Sequence, residues 1–197
     1  MRNLLVISLA FSASTLALGQ TIWDESVHGD LSGDRLNPNN LQLNAGVNSL
    51  FATSVQGDRE YVHFHLGGGL SLNQLVLVAW DGNDQIAFAG VQSGSTFTEP
   101  PTGTNVANLL GYSHFGPGAG NLGLDFLPAM GTGAGSIGFT PPLMGSDYTF
   151  WLQQTGPNPV TYRLDFVVAP EPALLVSMLA GILAVRKKRA SDSRSGS

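Results

Sequence analysis

Residues 148–168 read YTFWLQQTGPNPVTYRLDFVV, and the fold class turns on this stretch. Tyr148, Phe150 and Leu152 alternate with Thr149, Trp151 and Gln153. Beyond Gly156-Pro157-Asn158-Pro159, Tyr162, Leu164, Phe166 and Val168 alternate with Thr161, Arg163 and Asp165. In an extended chain successive side chains point to opposite faces, so a period of two marks a strand with one face buried. Two such runs joined by a Gly/Pro/Asn connection predict a hairpin.

The same pattern recurs upstream. Val62, Phe64 and Leu66 alternate with Tyr61, His63 and His65, and Gln56-Gly57-Asp58-Arg59 is a turn from a strand over residues 49–55. Leu75 to Trp80 is a continuous apolar run, expected of a central strand covered on both faces. Asp81-Gly82-Asn83-Asp84 is read as a hairpin turn into residues 85–91. No window of this region carries a helical period, although residues 105–110 have room for one helical turn. The Gly-rich stretch 111–142 is expected to be long loops with one or two strands. Its Phe115, Leu122, Leu124, Phe126, Leu127 and Phe139 are expected to pack. Six to eight short strands between turn-forming clusters predict an all-β domain over residues 20–168, a single β-sandwich or jelly-roll-like unit.

Composition narrows the function. The 197 residues include 9 Lys+Arg, 14 Asp+Glu and no cysteine, with 43% hydrophobic and only 12% charged residues. That length and apolar content suit one packed domain rather than a disordered chain. Without cysteine there is no disulfide, thiolate chemistry or Cys-ligated metal. Within 20–168, Arg35, Arg59 and Arg163 face twelve acids and no lysine, a net charge of −9. No basic footprint for nucleic acid exists. Such a surface repels anionic polymers at low salt and draws divalent cations diffusely.

The ends differ from the middle. Arg2, the apolar residues 4–18 and the small residues Ala17 and Gly19 have the three parts of a signal peptide, with cleavage expected before Gln20. At the other end, Pro170-Glu171-Pro172 is followed by an uncharged segment, 173–185, the basic cluster Arg186-Lys187-Lys188-Arg189 and a Ser-rich tail. Thirteen helical residues reach only about 20 Å against a hydrocarbon core of roughly 30 Å. Snorkelling basic side chains and local thinning would accommodate a short transmembrane helix. The basic cluster would then stay cytoplasmic and everything before Pro170 would lie outside.

This tripartite ending, residues 169–197, resembles the PEP-CTERM sorting signal of exported proteins of Gram-negative bacteria. The resemblance implies signal peptidase and an exosortase-like membrane transpeptidase as partners, with Pro170, Glu171 and Pro172 as substrate residues rather than catalysts. It implies a membrane-anchored precursor and delivery to the cell surface or an extracellular matrix. Residues 57–64, GDREYVHF, also resemble a turn and strand of bacterial pre-peptidase C-terminal domains, with Glu60 where that family prefers Asp. Those domains are sandwiches that act as binding or spacer modules.

Chemistry within the domain is sparse. His63 and His65 lie on one face of a strand, a spacing that metal sites use, but no third ligand is indicated. The plainer reading is a polar strand face. Gly133-Ala134-Gly135-Ser136-Ile137-Gly138 fits a dinucleotide fingerprint, yet Thr140-Pro141-Pro142 follows where a helix is required. Asp24, Glu25, Asp30 and Asp34 are oxygen donors of the kind calcium takes, without EF-hand spacing. No catalytic residue, metal site or cofactor is therefore assigned, and the expected role is non-enzymatic, structural or adhesive. The alternative is an exopolysaccharide-binding module, calcium-assisted, with Trp80, Tyr112 and Trp151 as stacking aromatics.

Overall fold

The structure, a computed structural model, describes residues 19–171. The strands are β1 (Gln20–Asp24), β2 (Asn39–Leu41), β3 (Gly46–Ser54), β4 (Arg59–His65), β5 (Leu70–Gly82), β6 (Ala87–Ser93), β7 (Gly111–Phe115), β8 (Asp147–Gln154) and β9 (Val160–Pro170). They form two sheets, ordered β1-β3-β9-β5 and β2-β4-β8-β6-β7. Pairing is antiparallel except at one edge of each sheet, where β1 runs parallel to β3 and β2 parallel to β4. Among the described residues helix is confined to the short α1 (Glu25–His28) and α2 (Leu127–Gly131) and to two 3-10 turns, one of them at Val106–Asn108 within the anticipated stretch.

The alternating runs face inward as their period requires. Val62 and Phe64 of β4, Phe150 and Leu152 of β8, and Leu164 and Phe166 of β9 are all buried in one core shared by both sheets. Phe166 meets Phe64 edge-on at 5.6 Å and Phe150 at 5.7 Å between ring centroids. Each of these side chains contributes roughly 1.5–3 kcal/mol by burial.

Those contacts overturn the hairpin. β8 pairs with β4 and β6, whereas β9 pairs with β3 and β5 in the other sheet. Residues 155–159 are an arch that carries the chain across the core. Alternation reports which face of a strand is apolar, not whether the next apolar face lies beside it or opposite it. The turn at Asp81-Gly82-Asn83-Asp84 is corrected in the same way, since it leads from β5 in one sheet to β6 in the other. The two crossings are tied together: Asp84 accepts from the Asn158 backbone N–H at 2.5 Å and from its side-chain amide at 3.2 Å.

The run from Leu75 to Trp80 is not a central strand. β5 is the outermost strand of its sheet, with Leu75 and Leu77 buried but Val78 and Ala79 exposed. A register shift between Leu77 and Ala79 turns Trp80 rather than Ala79 to the core side, where it stacks on Tyr162 at 6.1 Å. The Gly-rich segment covers the free edge of β5. Its backbone bridges Val76 through Asp125 and Leu77 through Leu122, and Leu143, just after it, bridges Leu72. Phe115, Phe126 and Leu127 of this segment are buried and Phe139 packs against the core, as expected. Leu122 and Leu124 are 46% and 57% exposed, contrary to expectation, because that stretch lies along the edge by its backbone rather than over the core by its side chains.

A second, smaller cluster lies on the outward face of the β4–β8 sheet. Tyr61, Phe97, Leu109 and Trp151 are buried there, with Phe88, Val106 and Tyr112 packed around them. Residues 94–110 form its lid, so this part of the sheet is covered on both faces.

Candidate functional site

The junctions with the two end segments can be built residue by residue. Gln20 of β1 is level with Asn48 of β3, and Asn48 is level with Phe166 of β9. Since β1 runs parallel and β9 antiparallel to β3, residues before Gln20 and residues after Pro170 leave from one end of one sheet, separated by a single strand. Asn48 secures that end. Its buried amide donates to the carbonyls of Asn44 and Phe166, and its oxygen accepts from the Gln20 side chain at 2.6 Å and from Asn44 N–H at 2.9 Å.

The folded unit extends past residue 168. β9 continues to Pro170, which pairs with Leu70. Glu171 is also held: its N–H donates to Gly69 carbonyl at 2.8 Å, and its Oε1 accepts from Gly145 N–H at 3.1 Å. A proline can close a strand because only its N–H is missing. Pro170 thus closes the ladder, and β9 runs two residues beyond position 168. Gly19 lies beside Val47. Ala17, Pro172, the apolar stretch 173–185 and Arg186, Lys187, Lys188 and Arg189 lie outside the described residues. Among the described residues no helix is long and apolar enough to cross a membrane.

His63 and His65 do share a face, and both meet Asp147, the residue opposite His65 on β8. His63 Nε2 and His65 Nδ1 each approach Asp147 Oδ1 at 3.1 Å, and His63 Nδ1 lies 2.6 Å from Asn40 Oδ1. Hydrogen bonds from His63 and then His65 hold the Asp147 carboxyl below its ordinary range. The arrangement clamps β4 to β8 and to β2. Among the described residues no three His, Asp or Glu side chains are grouped so as to hold a metal ion.

Three of the four acids of the segment, Asp24, Glu25 and Asp34, hold local structure. Asp24 caps α1, accepting from Ser26 N–H at 3.0 Å and its hydroxyl at 2.6 Å. Glu25 accepts from Leu31 N–H and Thr53 N–H, and partial burial raises its pKa. Asp34 accepts from Leu36 N–H and the Asn37 amide, which lower its pKa. Asp24 and Glu25 also line a groove of about 210 Å³ with Ser26, Phe51, Ala52, Thr53 and Thr161.

The three candidate stacking aromatics form no common platform. Trp151 is 5% exposed inside the outer cluster. Trp80 donates to Asp84 carbonyl and packs on Tyr162 and Phe115. Tyr112 stacks on Phe88 at 6.0 Å and donates to Ala134 carbonyl. Residues 133–138 have no helix after them, and the N–H groups of Ile137 and Gly138 are bound to Leu109 and Leu110 carbonyls. No phosphate cradle is formed.

One residue was not singled out by the sequence pattern. Glu60 sits among the inward residues of β4 with no exposure, its Oε2 accepting from the Tyr162 hydroxyl and its Oε1 without a partner among the described residues. Burial pushes its pKa well above the ordinary carboxyl range. The Tyr162 hydrogen bond opposes this, and the nearby Glu25, Asp58 and Asp30 reinforce it. The sequence signal was present: Glu60 occupies an inward position of the period-two pattern Glu60, Val62, Phe64.

Comparison with protein-family models, with curated proteins and with solved structures yields no match.

Proposed function

We propose that this chain is an exported, non-enzymatic β-sandwich protein that an exosortase-like system sorts to the cell surface or extracellular matrix, where its role is structural or adhesive. The observation that carries this reading is the ordered ending, with Pro170-Glu171-Pro172, the apolar 173–185 and Arg186-Lys187-Lys188-Arg189 in a chain that opens on a signal-like segment. In this reading residues 1–19 are removed and 173–185 anchor the precursor in the membrane until transfer.

The geometry of the domain is compatible with such a tether. Both end segments attach at the same end of one sheet, so a membrane at that end meets both without the domain having to turn. The sorting motif starts where the ladder stops, which leaves Pro172 as the first motif residue beyond the described fold. The net charge of −9 keeps the exposed domain soluble.

The test is replacement of Pro170, Glu171 and Pro172 by alanine in the native host, followed by fractionation. Within the described residues this removes the Glu171 carboxylate bond to Gly145 N–H but no core side chain, so the domain should still fold. The expected outcome is an uncleaved precursor retained in the membrane. Processing and surface delivery equal to the unaltered chain would overturn the proposal.

A further inference from the structure

Two of the three residues of the Pro-Glu-Pro run belong to the sheet. Pro170 stands opposite Leu70 on the last rung of the β5–β9 ladder, after Ala169 opposite Ser71. Glu171 follows β9 and is bound twice, its N–H donating to Gly69 carbonyl at 2.8 Å and its Oε1 accepting from Gly145 N–H at 3.1 Å. It is half-buried there.

Both partners of Glu171 are fixed in turn. Leu70 N–H donates to Gly67 carbonyl at 3.1 Å, which closes a tight turn between β4 and β5, and Gly69 takes φ +92° within it. Leu66 N–H donates to Ser146 carbonyl at 2.9 Å, and Leu143 exchanges bonds with Leu72 at 2.8 and 2.9 Å, so the segment around Gly145 is tied to the same turn. Residues 66–70 and 143–146 thus form a seat for Glu171. The fit is close: a Cβ on Gly145 would stand 3.2 Å from Glu171 Oε1 and 3.3 Å from the carbonyl oxygens of Leu66 and Gly67.

Occupation of this seat excludes an enzyme. A backbone N–H is a single donor, and that of Glu171 is already given to Gly69. An enzyme that takes an extended peptide as an added strand needs those same main-chain groups. Paired strands lie about 4.8 Å apart, which leaves no room for the wall of a cleft between Pro170 and Leu70. Pro170 and Glu171 must therefore leave the seat before a cleft can receive them. That opening is local, because neither residue belongs to the buried core.

We propose that the seat is a hold on the sorting motif: the folded domain competes with the processing enzyme for Pro170 and Glu171, and opening of the last rung of β9 sets how fast the precursor is processed. This rests on the sorting reading and adds the regulation of that step. The enzyme's apparent affinity for the motif falls by the fraction of time the seat is open. One backbone bond and one bond to a carboxylate close it, which is enough to slow capture about tenfold or more relative to a free tail. The hold exists only in the folded domain, so it prolongs the membrane-anchored stage of a chain that has already folded.

The test follows conversion of the full precursor by pulse labelling in the native host, with two variants that leave Pro170-Glu171-Pro172 intact. Insertion of Gly-Ser-Gly-Ser between Ala169 and Pro170 moves the motif off the sheet. Gly145→Ala crowds the Glu171 carboxylate out of its seat without changing chain length. Both should be processed faster, the insertion about tenfold or more and Gly145→Ala by a smaller factor. Hydrogen exchange of the full chain in mild detergent separates release from unfolding: the Glu171 N–H should be protected in the unaltered chain and exposed in the insertion variant, with the amides of β8 and of β9 up to Val168 unchanged. An unprotected Glu171 N–H in the unaltered chain would overturn the hold. Processing no faster than the unaltered chain in both variants would also overturn it while leaving sorting intact. Absence of processing in all three chains would overturn the sorting reading and the hold with it.

Discussion

Replacing Glu60 by glutamine should make the fold more stable at neutral pH, although the substitution lies in the middle of the core. Glu60 is fully buried, one carboxyl oxygen accepts from Tyr162, and the other has no partner among the described residues. Burial raises its folded pKa well above the value in the unfolded chain. The stabilising contribution of a raised group is fully present below the unfolded pKa and is lost as pH rises through the folded pKa. In that window the folded state holds a proton that the unfolded chain has released. Each pH unit within it lowers the unfolding free energy by about 1.4 kcal/mol. Glutamine has nearly the same shape, keeps an oxygen for the Tyr162 hydroxyl and does not titrate. Urea unfolding followed at pH steps from about 5 upward gives the slope for each protein. Glu25 and Asp58 are raised by partial burial and contribute with the same sign, so the difference between the two slopes isolates Glu60. Glu60→Gln should remove about 1.4 kcal/mol per pH unit from the slope across the window and gain on the unaltered protein as pH rises. Parallel slopes would refute a neutral buried acid at Glu60.

Other perturbations read other parts of the structure. Phe166→Ala removes the ring that meets both Phe64 and Phe150, and should cost about 3–5 kcal/mol in the same urea assay. Gly82→Ala should destabilise strongly, since Gly82 has φ +147° and a Cβ there would stand 2.7 Å from Pro159 carbonyl oxygen. Asp147→Asn should flatten the acid limb of the stability profile. The lowered Asp147 contributes stability that is fully present above its unfolded pKa, and that contribution disappears as pH falls through the lower folded value.

The face assignments were legible because hydrophobic period and strand geometry share the number two. Val62, Phe64, Phe150, Leu152, Leu164 and Phe166 all point where their alternation put them. Partner assignments were not legible. The arch at 155–159 and a hairpin loop of the same length have similar composition, and only the ring contacts of Phe166 across the core distinguish them. Leu75 to Trp80 misled for a related reason: a bulge and a covering loop let an edge strand carry apolar residues that its position alone would not favour. Trp151 reads as an outward residue and is one, yet the lid of residues 94–110 buries it, and nothing local to Trp151 announces that lid. Pro170 and Glu171 stood out in the sequence as part of a Pro-Glu-Pro run, but their attachment to Gly69, Leu70 and Gly145 is a long-range pairing that the run does not encode.

Export followed by C-terminal processing can be decided by intact-mass and terminal-peptide mass spectrometry of the chain recovered from its native host. Sorting as proposed requires a mature amino terminus at Gln20 and a carboxyl terminus near Pro170, with the segment from 173 onward missing. A surface-located chain that still ends at Ser197, or one that retains residues 1–19, would contradict it.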